Sequence, residues 1–440
     1  PPLSPGPGGP LATARSGRAR SQYRSAMDGV AAPPHGLTAP PAAEDPAALP
    51  RLRRRAAVLW LAVAVPVNAL IFLGRQLWGS DQRPLIDDAF MHWDGRWFMT
   101  IARDGYSYTP GQQSNVAFAP AFPIVSKGVS WVVGSLPLAM VLTAATFGLV
   151  GFLLVATWFG RRESVATSRS VLLLFALYPF TVYLTGIPYS EPLYLATAVG
   201  AFLALESDRP LLAGLLGLVT TATRVTGVAL AAGLVVMAVA RCGAVRAATA
   251  EDRTAGPADG WRWGRVVVAP GRLRLRDAWV LLSWVGIGLW MAHFQDKFGD
   301  PVLFSNGNFG APGRWLTEPS IRTLFKVQYF ENLTTEIPAY VITTTVHGIP
   351  AVLPIALLPA GVRRYGVAYG VFCGVIIVMS WMTSGAFQSF GRYLLVAFPL
   401  FGPVALWADR TPLRMVWLPR FFAVGLFGAT LMWANGHWLS

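Results

Sequence analysis

The sequence predicts an all-α polytopic membrane protein, and three observations lead to this fold class. Of the 440 residues, 54% are hydrophobic and only 13% are charged, whereas soluble domains carry roughly 25% charged residues. The mean hydropathy is +0.47. The apolar residues form runs of about twenty, the length that an α-helix needs to cross a bilayer. Only two cysteines occur, Cys242 and Cys373, so we expect neither a disulfide framework nor a thiolate metal site.

The net charge of +14 would suggest nucleic acid as a partner of a soluble chain, but here we interpret it loop by loop. Basic residues accumulate in the cytoplasmic loops of membrane proteins. The basic clusters lie at 51–55, 161–169, 241–276, 363–364 and 410–414. They all fall on one side of the predicted topology, so we expect no nucleic-acid partner.

The first fifty residues are rich in Pro, Ala and Gly and contain few large apolar side chains. Such a segment cannot bury enough surface to offset the entropy of ordering it. We therefore predict a disordered cytoplasmic tail over 1–50 and a transmembrane domain over 51–440.

We expect about eleven spans, with the N-terminus inside. Their ranges are 56–74, 136–159, 170–187, 193–205, two short helices within 211–240, 278–294, 339–359, 366–382, 394–408 and 416–435. The two short helices would meet at Thr223-Arg224-Val225-Thr226-Gly227. A single long helix with a buried arginine is the alternative for that stretch.

Three long loops connect these spans. The loop 241–277 is predicted to be cytoplasmic, and the loops 75–135 and 295–338 are predicted to be outside. The first outer loop contains two apolar and aromatic stretches, 89–102 and 117–133, that Gly and Pro interrupt. We expect these stretches to form helices that lie parallel to the membrane surface.

Acidic residues and isolated cations share the predicted outer face, although charged residues are few in this chain. They include Asp87, Asp88, Asp94, Glu191, Arg224 and Arg392. A transferase that takes a sugar from a lipid phosphate needs such a set. A carboxylate deprotonates the acceptor hydroxyl, and arginines hold the phosphate leaving group and stabilise its growing charge.

Several motifs in this order resemble the PIG-V family, GPI mannosyltransferase II and its bacterial relatives. They are Trp93-Asp94-Gly95, Ile101-Ala102-Arg103-Asp104-Gly105-Tyr106, Phe118-Ala119-Pro120-Ala121-Phe122-Pro123, Tyr178-Pro179-Phe180, Tyr189-Ser190-Glu191-Pro192, Thr223-Arg224-Val225-Thr226-Gly227 and Phe390-Gly391-Arg392-Tyr393. The resemblance covers most of residues 56–435. It implies the GT-C glycosyltransferase fold, with transfer of a sugar on the non-cytoplasmic face of the membrane.

The resemblance implies that mannose passes from a polyprenyl-phosphate-mannose donor to a lipid-linked or glycan acceptor by an inverting, direct displacement. Neither a metal nor a cofactor is expected. We expect an integral protein of a bacterial plasma (inner) membrane, in contact with membrane lipids. The expected roles are a catalytic base, Asp94; supporting acids, Asp87, Asp88 and Glu191; donor-phosphate ligands, Arg224 and Arg392; and sugar or acceptor contacts, Trp93, Tyr106, Tyr189 and Gln388.

Each of these residues also has a purely structural interpretation. Trp93 could anchor the chain at the interface beside a simple Asp-Gly turn. Glu191 could merely favour a helix start through the helix dipole, and Arg392 could extend towards the interface. Asp87 and Asp88 could be solvated loop acids.

Other functions are also compatible with the sequence. A transporter or lipid flippase is the leading alternative from another class, because broken helices such as the pair around Arg224 mark transporter sites. Within enzymes, a protein O-mannosyltransferase or an arabinosyltransferase of the same superfamily is the alternative.

Overall fold

The computed structural model describes residues 48–78, 85–110, 112–254, 257, 259–306, 321–334, 338–384, 387 and 389–437. Within these ranges the regular secondary structure is helical apart from one small sheet, which confirms the all-α prediction. The predicted disordered tail lies outside the described residues except for 48–50, which begin the first helix.

The described part of the chain contains nineteen α-helices. In chain order they are α1 (Ala48–Trp78), α2 (Leu85–Phe90), α3 (Asp94–Asp104), α4 (Ala121–Val133), α5 (Leu136–Gly160), α6 (Val165–Leu177), α7 (Glu191–Glu206), α8 (Pro210–Thr221), α9 (Val228–Arg241), α10 (Ala250–Thr254), α11 (Val285–Phe298), α12 (Leu303–Asn306), α13 (Ile321–Leu324), α14 (Val327–Leu333), α15 (Pro338–Tyr365), α16 (Val367–Thr383), α17 (Phe390–Val396), α18 (Phe401–Asp409) and α19 (Pro412–Ala434). Segments of 3₁₀-helix cover Asn115–Ala117, Pro179–Leu184, Val225–Gly227, Pro270–Arg272, Leu275–Trp284 and Phe398–Leu400.

Among the described residues, four helices are long and apolar enough to cross a membrane. They are α1, α5, the continuous stretch Leu275–Phe298 and α19. The bent pair Phe390–Val396 and Phe398–Asp409 makes a fifth if it is counted as one span. These helices are those of an integral membrane protein, whereas the total of about eleven spans stays a prediction.

Two predicted spans are wrong as continuous helices, and proline explains both. In the span predicted at 170–187, α6 ends at Leu177 because Tyr178, which precedes Pro179, is extended with ψ 133°, as residues before proline prefer. In the span predicted at 394–408, the helix bends by 89° between α17 and the segment that follows. Pro399 has no N–H to donate to the carbonyl group four residues earlier.

The stretch 211–240 forms the predicted pair of short helices. α8 ends at Thr221 and α9 begins at Val228, with Arg224 extended at φ −161° between them. A Cβ atom on Gly227 would lie 2.5 Å from the Cα of Thr221, so only glycine allows the two helices to approach this closely. The alternative of one long helix is therefore wrong.

The loops contain more structure than the sequence predicted. α3 and α4 confirm that both stretches of the first outer loop are helical. In the basic loop 241–277, where no strand was predicted, there are three short strands, β1 (Val245–Ala247), β2 (Trp261–Trp263) and β3 (Val266–Val268). They form an antiparallel sheet in the order β1-β3-β2.

Among the described residues, the larger of two apolar clusters is built around α7, which packs against α5 and α8. Nearly every residue of α7 is buried, including its first residue, Glu191. α7 therefore carries one charged side chain into the protein interior at its N-terminal end.

Candidate active site

Four charged side chains from distant parts of the sequence meet in one chain of ion pairs. Asp94 is the first residue of α3, Glu191 begins α7, Arg224 lies in the break between α8 and α9, and Arg392 is in the first turn of α17. We call these four residues the charge cluster.

Arg392 links the two acids of the charge cluster. Its Nη1 donates a hydrogen bond of 2.7 Å to Oδ2 of Asp94, and its Nε lies 3.0 Å from Oε1 of Glu191. Arg224 donates from Nη1 to that same oxygen of Glu191. Along the chain of ion pairs the residues follow in the order Asp94, Arg392, Glu191, Arg224. Its two positive and two negative formal charges cancel.

Burial differs along this chain of ion pairs. The side chains of Glu191 and Arg392 are 0% and 6% exposed, whereas Asp94 is 15% exposed and Arg224 is 14% exposed. The two inner members are therefore closed to solvent, and the two ends are partly open. Among the described residues, no hydrogen bond engages the second carboxylate oxygen of Asp94, Oδ1.

Aromatic rings enclose both guanidinium groups. The guanidinium carbon of Arg392 lies 5.0 Å from the ring centre of Tyr189, 5.6 Å from that of Tyr183 and 5.5 Å from that of Tyr393. Arg224 lies 4.8 Å from the Tyr393 ring. Rings at these distances attract a cation through their quadrupole, so they help to retain the buried charge of Arg392 and the partly buried charge of Arg224. The sequence analysis did not assign Tyr183 or Tyr393 to the site, although Tyr393 follows Arg392 directly.

The backbone also orients Asp94. Its N–H donates to the Tyr189 hydroxyl at 3.3 Å, and its position in the first turn of α3 places the carboxylate at the positive end of the helix dipole. The preceding residue, Trp93, has φ 49° and ψ −119°, a backbone conformation that costs free energy and often marks functional sites.

Hydrogen bonds connect the motifs that surround the charge cluster. The Tyr178 hydroxyl donates to the Gly391 carbonyl at 3.0 Å, and the Tyr194 hydroxyl donates to the Thr226 carbonyl at 3.1 Å. A Cβ atom on Gly391 would overlap the Phe180 ring. The motif that carries Arg392 thus packs directly on the Tyr178-Pro179-Phe180 motif, and this contact requires glycine.

The three aromatic residues expected to contact sugar differ in exposure. Trp93 is 42% exposed. Tyr189 is buried beneath Arg392, and Tyr106 is buried in a separate apolar cluster with Trp290 and Phe294, where its hydroxyl donates to the Phe118 carbonyl at 2.7 Å. Tyr106 and Tyr189 are thus less accessible than Trp93, and the sugar contacts of all three residues stay predictions. The fourth expected contact, Gln388, lies outside the described residues.

The remaining acids, Asp87 and Asp88, lie on α2. Burial raises the pKa of Asp87, and the charge of Arg96 opposes this shift only in part. The side chain of Asp88 is not among those that the structure describes. Among the described contacts, none joins Asp87 to the charge cluster.

Two of the structural interpretations are wrong. Arg392 does not extend towards the interface, because its side chain is enclosed by two carboxylates and three aromatic rings. The helix dipole alone does not account for Glu191, because two guanidinium groups bind its carboxylate. Within the described part of the chain, no group of three or more His, Cys, Asp or Glu side chains could hold a metal ion.

Comparison with known proteins supports the resemblance seen in the sequence. Residues 80–248 match the family model of mannosyltransferases (PIG-V), a segment that contains Asp94, Glu191 and Arg224 but not Arg392. The resemblance is therefore confirmed over these residues. No curated protein matches the chain.

The chain is also similar to solved structures of the Archaeoglobus fulgidus oligosaccharyltransferase. The apo form is 11% identical with a TM-score of 0.44, over 86% of this chain and 55% of that one. The complex with an inhibitory peptide and a dolichol-phosphate is 12% identical with a TM-score of 0.42, over 86% and 55%. This chain thus spans about half the length of the structures it matches.

Proposed function

We propose that this protein is a membrane mannosyltransferase that transfers mannose from a polyprenyl-phosphate-mannose donor to a lipid-linked or glycan acceptor. The observation that carries the proposal is the charge cluster, since three of its four members lie within the segment that matches the mannosyltransferase family. The same match favours a transferase over a transporter or flippase.

Asp94 is the general base in this proposal. Oδ2 is held by Arg392, which leaves Oδ1 to accept the proton of the acceptor hydroxyl. As that proton moves to Asp94, the acceptor oxygen forms a bond to the anomeric carbon of mannose. The bond from that carbon to the donor phosphate breaks, and polyprenyl phosphate leaves with the electron pair. One displacement thus completes the transfer, with inversion at the anomeric carbon.

The two arginines have different roles. Arg224 is at the partly open end of the charge cluster, so it is the better candidate to bind the leaving phosphate and stabilise its growing charge. Arg392 is a positioning residue, because both of its carboxylate contacts are inside the protein. The sequence analysis expected both arginines to bind the donor phosphate, whereas we now propose that Arg224 alone binds it directly. Arg224 supplies positive charge that a metal ion would otherwise provide, so we propose neither a metal nor a cofactor.

The proposed setting is a bacterial plasma membrane, with the N-terminus in the cytoplasm and the charge cluster on the outer face. The positive-inside rule supports this orientation, because the basic clusters at 161–169 and 241–276 alternate along the sequence with the segments that carry Asp94 and Glu191.

A transfer assay with the purified full chain in liposomes tests the proposal. We expect label to pass to a lipid or glycan acceptor from polyprenyl-phosphate-mannose and not from a nucleotide-linked mannose. Transfer from the nucleotide sugar alone would contradict the proposed donor. Movement of the labelled lipid across the bilayer without transfer would support the flippase instead.

A further inference from the structure

A cavity that is distinct from the charge cluster lies among α1, α5, α7 and α8. It has a volume of about 480 Å³, within the range of protein sites that bind small molecules. Its walls are mostly apolar and include Phe147, Val150, Leu154, Leu203, Leu212 and Leu216. We call it the basic-end groove, because three arginines, Arg53, Arg161 and Arg209, line the same cavity.

These three arginines have no carboxylate partner within the described residues. Arg53 donates from Nε to the Thr157 hydroxyl at 2.9 Å, which leaves its other nitrogens free to bind a ligand. Arg161 and Arg209 form no ion pair within the described ranges.

The acids at this end of the bundle are bound by other arginines. Glu206 pairs with Arg162, and Asp208 pairs with Arg241 and Arg276. Hence the groove combines an apolar wall with an excess of positive charge at one end.

The length of the groove matches one leaflet of a bilayer. It follows α7 from Ala196 to Ser207, and at 1.5 Å per residue this distance is about 17 Å. Half the thickness of the hydrocarbon core of a bilayer is about 15 Å. Arg53 and Arg161 belong to basic clusters, and Arg209 follows Asp208, which pairs with Arg241 and Arg276 of the basic loop. We therefore expect the three guanidinium groups at the level of the lipid phosphates.

We infer that the basic-end groove binds one anionic phospholipid from the leaflet on the basic side of the membrane. The arginines bind its phosphate, since guanidinium groups match phosphate oxygens in geometry and charge. An acyl chain lies along Leu154, Leu212 and Leu216. A soluble phosphate would leave the apolar walls without a partner.

The donor lipid of the proposed reaction does not fit this groove. Glu191 belongs to the charge cluster and begins α7, whereas Ser207 lines the groove and directly follows α7. The two residues are about 24 Å apart along the helix axis. A lipid with its phosphate at the arginines could not also present its sugar at the charge cluster. The groove is therefore a separate lipid site, and the inference does not depend on the proposed function.

Thermal unfolding of the purified full chain in detergent tests this inference. We expect dioleoylphosphatidylglycerol to raise the unfolding temperature by about 2–4 °C. Dioleoylphosphatidylcholine, with the same chains but no net charge, and inorganic phosphate should each have a much smaller effect. Equal stabilisation by phosphatidylcholine, or by inorganic phosphate, would overturn the inference.

Two double variants test whether phosphatidylglycerol stabilises the protein by binding at the arginines of the groove. Arg161→Ala with Arg209→Ala should abolish the shift caused by phosphatidylglycerol, whereas Arg54→Ala with Arg55→Ala, the same charge change outside the groove, should retain it. Retention of the full shift in the first pair would contradict the site.

If the first pair of variants does not fold, Gly200→Leu gives a second test. A Cβ atom at this position would lie 3.3 Å from Cδ1 of Leu216 and 3.7 Å from Cδ1 of Leu154, so a leucine side chain would extend into the groove. Native mass spectrometry should show phosphatidylglycerol bound to the unmodified protein and lost from Gly200→Leu. Equal binding by both proteins would overturn the inference.

Discussion

Replacement of Asp94 by Asn lowers the rate of mannose transfer by about 10²–10⁴-fold, the usual contribution of a general base. An amide at this position can still accept a hydrogen bond from Arg392, but it cannot take the proton of the acceptor hydroxyl. We therefore expect the turnover number to fall while the affinity for the donor changes little. The measurement is initial-rate kinetics with labelled polyprenyl-phosphate-mannose, beside donor binding to the same preparation.

Asp104→Asn is the matched control, because it makes the same change at the other end of α3. Asp104 is 52% exposed and pairs with its neighbour Arg103, so we expect a rate near that of the unmodified enzyme. Near-normal transfer by Asp94→Asn would exclude Asp94 as the base and make Asp87 the next acid to test.

Replacement of Arg392 by Gln destabilises the protein and abolishes transfer. The change leaves Asp94 and Glu191 without their shared partner, and breaking a buried ion pair from one side costs about 3–5 kcal/mol. We expect a lower unfolding temperature for the purified protein together with a loss of transfer, because Asp94 is no longer held in place.

A double variant separates the charge effect from a general packing defect. Glu191→Gln combined with Arg392→Gln removes one charge of each sign, so it should be less destabilised than Arg392→Gln alone. Arg322→Gln serves as a control, because the Arg322–Glu331 pair is 70% and 56% exposed and exposed pairs contribute little. Equal destabilisation of the double and single variants would show that the ion pairs do not hold the charge cluster together.

The members of the charge cluster could be selected from the sequence, but their contacts could not. Asp94, Glu191, Arg224 and Arg392 were notable because charge is scarce in an apolar chain and costly in a membrane. The pair Asp94 and Arg392 is separated by 298 residues, and no local pattern specifies a contact over that distance. Arg392 lies in α17, directly before an 89° bend that hydropathy does not reveal.

Aromatic roles were the least predictable part of the site. Trp93, Tyr106 and Tyr189 have similar chemistry, and burial alone distinguishes the exposed Trp93 from the two tyrosines. Tyr393 could have been recognised from its position beside Arg392, whereas Tyr183 reaches the cluster through the 3₁₀-helix after Pro179. The helices of the first outer loop, by contrast, followed directly from apolar stretches that are interrupted by Gly and Pro.

The configuration at the anomeric carbon of the transferred mannose tests the central claim most directly. With Asp94 as a base, the acceptor oxygen attacks the carbon opposite the leaving phosphate, so the product has the configuration opposite to that of the donor. If Asp94 instead attacked the carbon, a covalent glycosyl-enzyme would form and a second displacement would restore the original configuration. NMR spectroscopy of the isolated product distinguishes the two outcomes. We predict inversion, and retention would contradict the direct displacement in which Asp94 accepts the proton.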